Sequence, residues 1–258
     1  KRFNKDFDMS FKGTFTYAHN KVLEYDEPDF QKYPNISRVG HSVDQQLLYI
    51  AERLFIDDSE VQRNPKQNLG GWVSGGDIKY KNLPDVNGNY DNVIDSNDRQ
   101  YTGMPTTPEI VYGFGPSFRY KKFDFSFFFQ GAARVSIMMN GIHPFGAEGT
   151  RNVLQFIADD YWSETNQNIY AEYPRLSKRD NENNTKASTY WQRNGAFLKL
   201  KNLEVGFNHK FFRVYLRGSN LLTFSPFKYW DPEMGSGSGL SYPTQRVFNV
   251  GVQFSINK

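Results

Sequence analysis

The segment that decides the fold spans residues 123–130 and reads Phe123-Asp124-Phe125-Ser126-Phe127-Phe128-Phe129-Gln130. Phenylalanine occupies every second position, and the residues between are mostly small or polar. Side chains of a β-strand alternate between its two faces, so this pattern predicts a strand with one apolar face and one polar face. The two-residue link Lys121-Lys122 joins it to a similar pattern at 112–120. The pair therefore predicts an antiparallel hairpin.

The same alternation recurs along the chain and predicts six antiparallel strands, each paired with its neighbour in sequence. Their predicted ranges are 5–18, 109–121, 122–133, 196–208, 211–222 and 245–257. The alternation slips by one residue near Asn202, which predicts a β-bulge. Pro116 has no backbone N–H, so it requires either a bulge or an unpaired position.

The alternation also assigns the two faces of the predicted sheet. The face expected to meet lipid carries Phe7, Phe11, Phe15, Phe125, Phe127, Val250, Val252 and Phe254. The face expected to line a lumen carries Asp8, Lys12, Arg119, Asp124, Glu204, Arg213 and Arg217. Aromatic faces on strands long enough to cross a bilayer at a tilt favour a transmembrane β-barrel.

The connections between the predicted strands alternate in length. Long connections at 18–110, 133–196 and 221–245 are separated by short ones at 121–122 and 208–211. Outer-membrane barrels alternate in this way because their extracellular loops are long and their periplasmic turns are short. Alternating strands also fit a soluble sheet, but a sandwich would have short turns at both ends. Since spanning barrels begin at about eight strands, further strands are expected from elsewhere.

Composition excludes several classes of protein. The chain of 258 residues has no cysteine, which excludes disulfides, cysteine zinc sites and thiol catalysis. A formal net charge of +3 is too small to indicate nucleic acid as a partner. No apolar run is long enough for a transmembrane helix. The chain opens at Lys1 without a methionine or an apolar targeting segment, and we interpret it as a fragment or a processed chain.

Short motifs in a specific order extend over most of the chain. They are Gly76-Asp77-Ile78-Lys79-Tyr80-Lys81, Val93-Ile94-Asp95-Ser96-Asn97-Asp98, Tyr112-Gly113-Phe114, the strand from Phe123 to Gly131, Phe197-Leu198-Lys199-Leu200-Lys201-Asn202-Leu203, Ser219-Asn220-Leu221-Leu222-Thr223, Asp231-Pro232-Glu233 and the segment from Tyr242 to Phe248. In this combination the sequence resembles the C-terminal part of the SusC/RagA family, the TonB-dependent outer-membrane transporters of the Bacteroidetes.

The resemblance implies an all-β fold, an antiparallel transmembrane β-barrel segment with long extracellular loops. Residues 1–258 would supply six strands of a barrel of about 22, with the plug domain and the earlier strands outside this chain. The implied function is import of oligosaccharides or peptides across the bacterial outer membrane, energised by TonB. The implied partners are a SusD-like surface lipoprotein as a lid, TonB, the rest of the barrel and plug, and outer-membrane lipid. Binding and gated passage need no catalytic residues, so we do not expect an enzyme.

Two other functions fit the same residues. The strands could form a passive porin or an adhesin barrel, which a plug and a TonB box upstream would exclude. They could also form a soluble all-β carbohydrate-binding module, which partition between detergent and aqueous buffer would distinguish.

An Asp- and Asn-rich loop is the candidate metal site. In an EF-hand-like register the ligands are the side chains of Asn87, Asn89, Asp91, Asp95 and Asp98 and the carbonyl of Val93. Oxygen ligands at this spacing predict a structural calcium ion. The first ligand is Asn rather than Asp and the last is Asp rather than Glu, and Asp85 could begin a different register. The alternative is a loop of Asx turns around Asn87-Gly88.

The long connections also contain apolar residues. The segments 43–62 and 152–162 are expected to pack as cores within the loops or, less commonly, against a partner. The four tryptophans lie in or beside the loops, where they could stack on sugar rings, fill loop cores or join a membrane girdle. They are Trp72, Trp162, Trp191 and Trp230. The four histidines show no metal-ligand spacing.

Overall fold

The structure is a computed structural model that describes residues 1–144, 152–178 and 181–255. Its strands are β1 (Phe7–Tyr17), β2 (Gln46–Tyr49), β3 (Ala51–Leu54), β4 (Lys66–Gln67), β5 (Ile78–Tyr80), β6 (Val93–Ile94), β7 (Arg99–Thr102), β8 (Ile110–Tyr120), β9 (Phe123–Ala133), β10 (Ser136–Met138), β11 (Gln192–Asn194), β12 (Phe197–Asn208), β13 (Phe212–Phe224) and β14 (Val247–Phe254). Its α-helices are α1 (Asp58–Arg63), α2 (Gln155–Asp159) and α3 (Glu182–Thr185). Within these ranges no helix is both long and apolar enough to span a membrane.

The six long strands form one antiparallel sheet in the order β1-β8-β9-β12-β13-β14. Neighbours in the sheet are therefore neighbours among the predicted strands, and the predicted all-β antiparallel fold is confirmed. The predicted ends agree to within two residues at most boundaries; the last two predicted strand residues, 256 and 257, lie outside the described residues.

Three local features of the sheet match the sequence. The β8–β9 hairpin turns at Lys121, whose φ of 53° is left-handed. The register of β12 shifts between Leu200 and Asn202 against both of its neighbours, which is the predicted bulge. Pro116 pairs with Phe11 of β1, whereas the pairing of β8 with β9 is interrupted there and resumes without a register change. The missing N–H of the proline is thus accommodated on the side of β8 that faces β9, where Pro116 has no partner.

Apolar side chains cross the sheet in continuous rows on one face. One row runs through cross-strand partners in the order Phe118, Phe125, Val205, Leu216 and Val250. The rings of Phe118 and Phe125 stack with centroids 6.3 Å apart. Leu216 and Val250 are largely exposed. An apolar face of this extent is rare on the surface of a soluble monomer, and it suits contact with lipid.

The buried core of the chain lies in the long connections rather than in the sheet. Its members come from residues 48–94, 137–191 and 227 and include Leu48, Leu54, Ile78, Ile157 and Trp162. Both apolar loop segments expected to pack internally, 43–62 and 152–162, contribute to it. The short strands fold each connection on itself: β2–β7, β3–β5 and β4–β6 pair within the first long connection, and β10–β11 pair within the second.

Candidate functional site

Four of the charged residues predicted to line a lumen form one ion-pair cluster on the polar face of β9, β12 and β13. Arg213 Nη2 lies 2.5 Å from Asp124 Oδ1 and 2.6 Å from Glu204 Oε1. Arg217 Nη2 lies 2.5 Å from Glu204 Oε2. Gly206 leaves the space for this cluster, because a Cβ there would stand 2.5 Å from Asp124 Oδ1. The cluster therefore depends on the strand register as well as on the charges.

The remaining predicted lumen residues lie on the same face. Asp8 and Arg119 are cross-strand partners and form an ion pair between β1 and β8. Lys12 is four residues from Asp8 on the same strand and therefore points to the same side. A charge that faces lipid near the bilayer midplane costs about 2–4 kcal/mol. A face that carries so many charges must meet water or protein.

A buried lysine fixes the third long connection to this face. Lys199 of β12 is only 1% exposed, and its Nζ lies 2.6 Å from both Asp231 Oδ2 and Glu233 Oε2. Lys201 Nζ lies 2.5 Å from Glu233 Oε1. Burial acts to raise the pKa of Asp231 and of Glu233, but their hydrogen-bond donors together, Lys199 foremost, hold both below their usual values. The Asp231-Pro232-Glu233 motif is thus an anchor for the loop.

A second polar network joins the first and second long connections. Arg175 Nε lies 2.7 Å from Asp77 Oδ1, and the backbone N–H of Ser74 donates to Asp77 Oδ2 at 2.8 Å. The side-chain amides of Asn181 and Asn184 both donate to Asp77 Oδ1 at 2.9 Å. Burial raises the pKa of Asp77 despite the charge of Arg175. A buried carboxylate with this many donors holds the two connections in one arrangement.

No local sequence pattern predicts the roles of these network residues. Arg175, Asn181 and Asn184 are 98–107 positions from Asp77, so no local pattern links them. Of the network residues, only Asp77 lies in one of the short motifs that carry the family resemblance, the motif that begins at Gly76.

The three aspartates among the predicted calcium ligands accept hydrogen bonds from the backbone in this structure. Asp91 Oδ1 accepts from the N–H of Val93 at 3.0 Å. Asp95 and Asp98 form a capping box around the 3₁₀ turn Ser96–Asp98. Asp98 is buried, which raises its pKa, and it also accepts from the N–H of Leu83.

The start of the same loop is built on Asp85. Its Oδ1 accepts from the backbone N–H groups of Asn87 and Asn89, both at 2.9 Å. Among the described residues, no group of three or more His, Asp or Glu side chains is arranged to hold a metal ion. The hydrogen bonds are those of Asx turns, and the calcium ion stays a prediction.

The four tryptophans separate into buried and exposed side chains. Trp162 and Trp191 belong to the loop core, and Trp230 packs against Phe227 with ring centroids 4.6 Å apart. Trp72 is 51% exposed. Three of the four tryptophans therefore pack in the loop cores, which is one of the three roles considered from the sequence.

No family model matches the chain. Two curated proteins of Formosa agariphila are similar to it, TonB-dependent receptor P3 and TonB-dependent receptor P26. The first is 27% identical over 278 residues and the second 28% over 283 residues, covering 96% and 95% of this chain. The match takes in 27% of each relative, so the chain spans about a quarter of their length.

Solved structures of RagAB are similar in fold. The RagAB peptide importer in the open-open state matches 99% of this chain with a TM-score of 0.65 at 19% identity, and the match takes in 27% of the solved chain. The RagAB peptide transporter matches 98% with a TM-score of 0.66 at 18% identity, again with 27% of that chain.

The sequence relatives are named receptors, and the solved structures are named an importer and a transporter. The sequence similarity and the shared fold extend over nearly the whole chain. The resemblance drawn from the sequence motifs is thereby confirmed: the chain is similar in sequence to two TonB-dependent receptors, and it folds like part of the RagAB transporter.

Proposed function

We propose that this chain is the C-terminal barrel portion of a nutrient importer in the bacterial outer membrane. The amphipathic six-stranded sheet carries the proposal, since one face is apolar and exposed while the other holds paired charges. Only a wall between lipid and a wet lumen suits both faces. The similarity to TonB-dependent receptors supports import rather than passive diffusion.

The proposed transporter draws its energy from TonB and carries a SusD-like surface lipoprotein over its extracellular mouth. Its plug and further strands come from outside residues 1–258. The strands β1 and β14 form the two edges of the sheet and offer the positions where those strands pair. The proposed substrates are oligosaccharides or peptides, and RagAB is itself named a peptide importer.

Uptake by intact cells tests this function. A strain that lacks the gene is complemented with the full-length transporter and given fluorescent oligosaccharide and peptide pools. We expect uptake that stops when TonB is deleted. Uptake that continues without TonB would identify a passive pore, and recovery of the protein in the soluble fraction would identify a soluble binding module.

A further inference from the structure

A cavity of about 500 Å³ opens between the first and second long connections. Its wall includes Asp57, Asp58, Trp72, Trp162, Glu164 and Arg175. Small-molecule sites are concave, of about 300–1,000 Å³, and combine aromatic side chains with a few fixed polar groups. The size and the lining of this cavity meet that description.

Trp72 is held rigidly at the edge of the cavity. The guanidinium carbon of Arg175 lies 4.0 Å from the centre of its ring. Arg175 is in turn fixed by the buried carboxylate of Asp77 at 2.7 Å. The indole nevertheless remains half exposed, unlike Trp162 and Trp191. A large apolar ring that is oriented by its neighbours and left open to solvent is a platform for another flat apolar surface.

Fixed hydrogen-bond acceptors stand beside this platform. Asp58 accepts hydrogen bonds from the hydroxyl of Ser74 and from the backbone N–H of Gly75, the latter at 2.8 Å. The hydrogen bond from the Ser74 hydroxyl is the main cause that lowers the pKa of Asp58, and the N–H of Gly75 adds to it. Asp58 therefore stays ionised at neutral pH. Glu164 and Gln167 line the same cavity. Carboxylate and amide oxygens in this arrangement accept hydrogen bonds from hydroxyl groups.

We propose that the cavity is a sugar-binding site for an uncharged oligosaccharide. The apolar face of a pyranose ring stacks on Trp72, and its hydroxyl groups donate to Asp58 and Glu164. This inference rests on the proposed function, because it places the site in the loops that face outward from the barrel.

The charges around the cavity select among ligands. The positive charge of Arg175 is already neutralised by Asp77, so Asp57, Asp58 and Glu164 leave the site negative and disfavour uronic or sulfated sugars. The same negative charge would attract a basic peptide, so tetralysine is the probe that separates a peptide site from a sugar site.

Binding to the purified full-length transporter tests the proposal. The probes are an array of neutral, uronate-containing and sulfated oligosaccharides and a tetralysine peptide. We expect binding of neutral oligosaccharides, with a loss of about tenfold or more in affinity for Trp72→Ala, since the apolar ring face of the sugar then loses the aromatic surface on which it stacks. Trp72→Tyr should retain most of the affinity, and Asp58→Asn should reduce it.

Tyr170→Ala is the matched control, because Tyr170 is an exposed aromatic residue outside this cavity. It should bind as the unaltered protein does, and equal outer-membrane levels of all variants exclude misfolding as the cause. No binding of neutral sugars, binding of only anionic sugars or tetralysine, or unchanged affinity of Trp72→Ala would each overturn the proposal. The sugar site and the proposed function can fail separately. If no sugar binds but the Trp72→Ala variant still takes up peptides in a TonB-dependent way, the sugar site is refuted and the proposed import function stands.

Discussion

Lys199 shows how one side chain can determine the position of a whole loop. Its ammonium group is buried on β12 and meets two carboxylates of the third long connection. The removal of one partner from a buried ion pair typically costs about 3–5 kcal/mol, because the remaining charge is left without compensation. The alternation in the sequence placed Lys199 on a strand, but it gave no sign that the residue is buried. The burial of Lys199 depends on its ion pairs with Asp231 and Glu233, which are 32 and 34 positions away in the sequence.

We therefore expect Lys199→Met to release the connection between β13 and β14 in the full-length protein. Its two carboxylate partners would lose the ammonium and turn towards water. Limited proteolysis of intact cells should show faster cleavage within residues 225–246. Lys12→Met is the control, since Lys12 is an exposed lysine on the same face of the sheet. Equal cleavage of the two variants would contradict the anchoring role of Lys199.

Glu60 predicts a pH dependence in the first long connection. Arg53 donates to its carboxylate and is the main cause that lowers the pKa of Glu60 from 4.5 to about 2, against the effect of burial. Because the folded-state pKa is depressed, the stabilisation is complete above pH 4.5 and is lost as the pH falls towards 2. Hydrogen exchange of residues 51–63, corrected for intrinsic rates, should show protection that falls within this window.

Glu60→Gln should remove most of that pH dependence, whereas Glu52→Gln should retain it. Glu52 is the matched control because it also contacts Lys79, at 3.4 Å, but it is more exposed. A pH profile that is the same with and without the Glu60 carboxylate would show that other groups control this segment.

At the scale of the elements, long strands were predictable and short ones were not. Each strand of the large sheet spans eight or more residues, so its period-2 alternation is visible in the sequence alone. Strands such as β4 and β6 have two residues each and show no period. They exist because the loop core brings their segments together. The bulge beside Asn202 was visible because it shifts a long alternation.

The assignment of the two faces predicts the effect of a charge on β14. Val250 lies opposite Leu216 on the apolar face, and Asn249 lies opposite Arg217 on the polar face. Val250→Arg should cost about 2–4 kcal/mol if it faces the bilayer core. Asn249→Arg places like charges on cross-strand partners, which costs less than about 1 kcal/mol. Outer-membrane levels should therefore fall for Val250→Arg and change little for Asn249→Arg, and equal levels would refute the assignment.

The Asx-rich loop gives an element-scale test of the calcium prediction. If a calcium ion bridges the side chains of Asn87 to Asp98, chelation with EGTA should increase protease cleavage of this loop in the full-length protein. Asp91→Asn should have the same effect without chelation. Cleavage that is unaffected by EGTA would show that the backbone hydrogen bonds of Asp85 and the capping box of Asp95 suffice.

At the scale of the whole molecule, the chain divides its functions between the sheet and the loops. One face of the sheet is apolar and exposed and the other carries paired charges, so the sheet does not bury a core of its own. The long connections supply that core, with side chains such as Leu48, Ile78 and Trp191. The alternation of long and short connections was predictable, but the packing of one loop on another was not. The hydrogen bonds around Asp77 join residues that are distant in sequence and carry no pattern.

The two open edges of the sheet predict how residues 1–258 behave without the rest of the transporter. Among the described residues, β14 pairs only with β13, and β1 pairs only with β8 apart from a contact of residues 1–4 at its start. In a bilayer each unpaired backbone N–H or C=O costs several kcal/mol, so an open six-stranded sheet should not insert. Expressed alone, the chain should fail to give a folded, heat-modifiable band in outer-membrane fractions, whereas the full-length protein should give one. Insertion of the isolated chain as a heat-modifiable monomer would mean that these strands close on themselves, and it would refute their proposed place in a larger barrel.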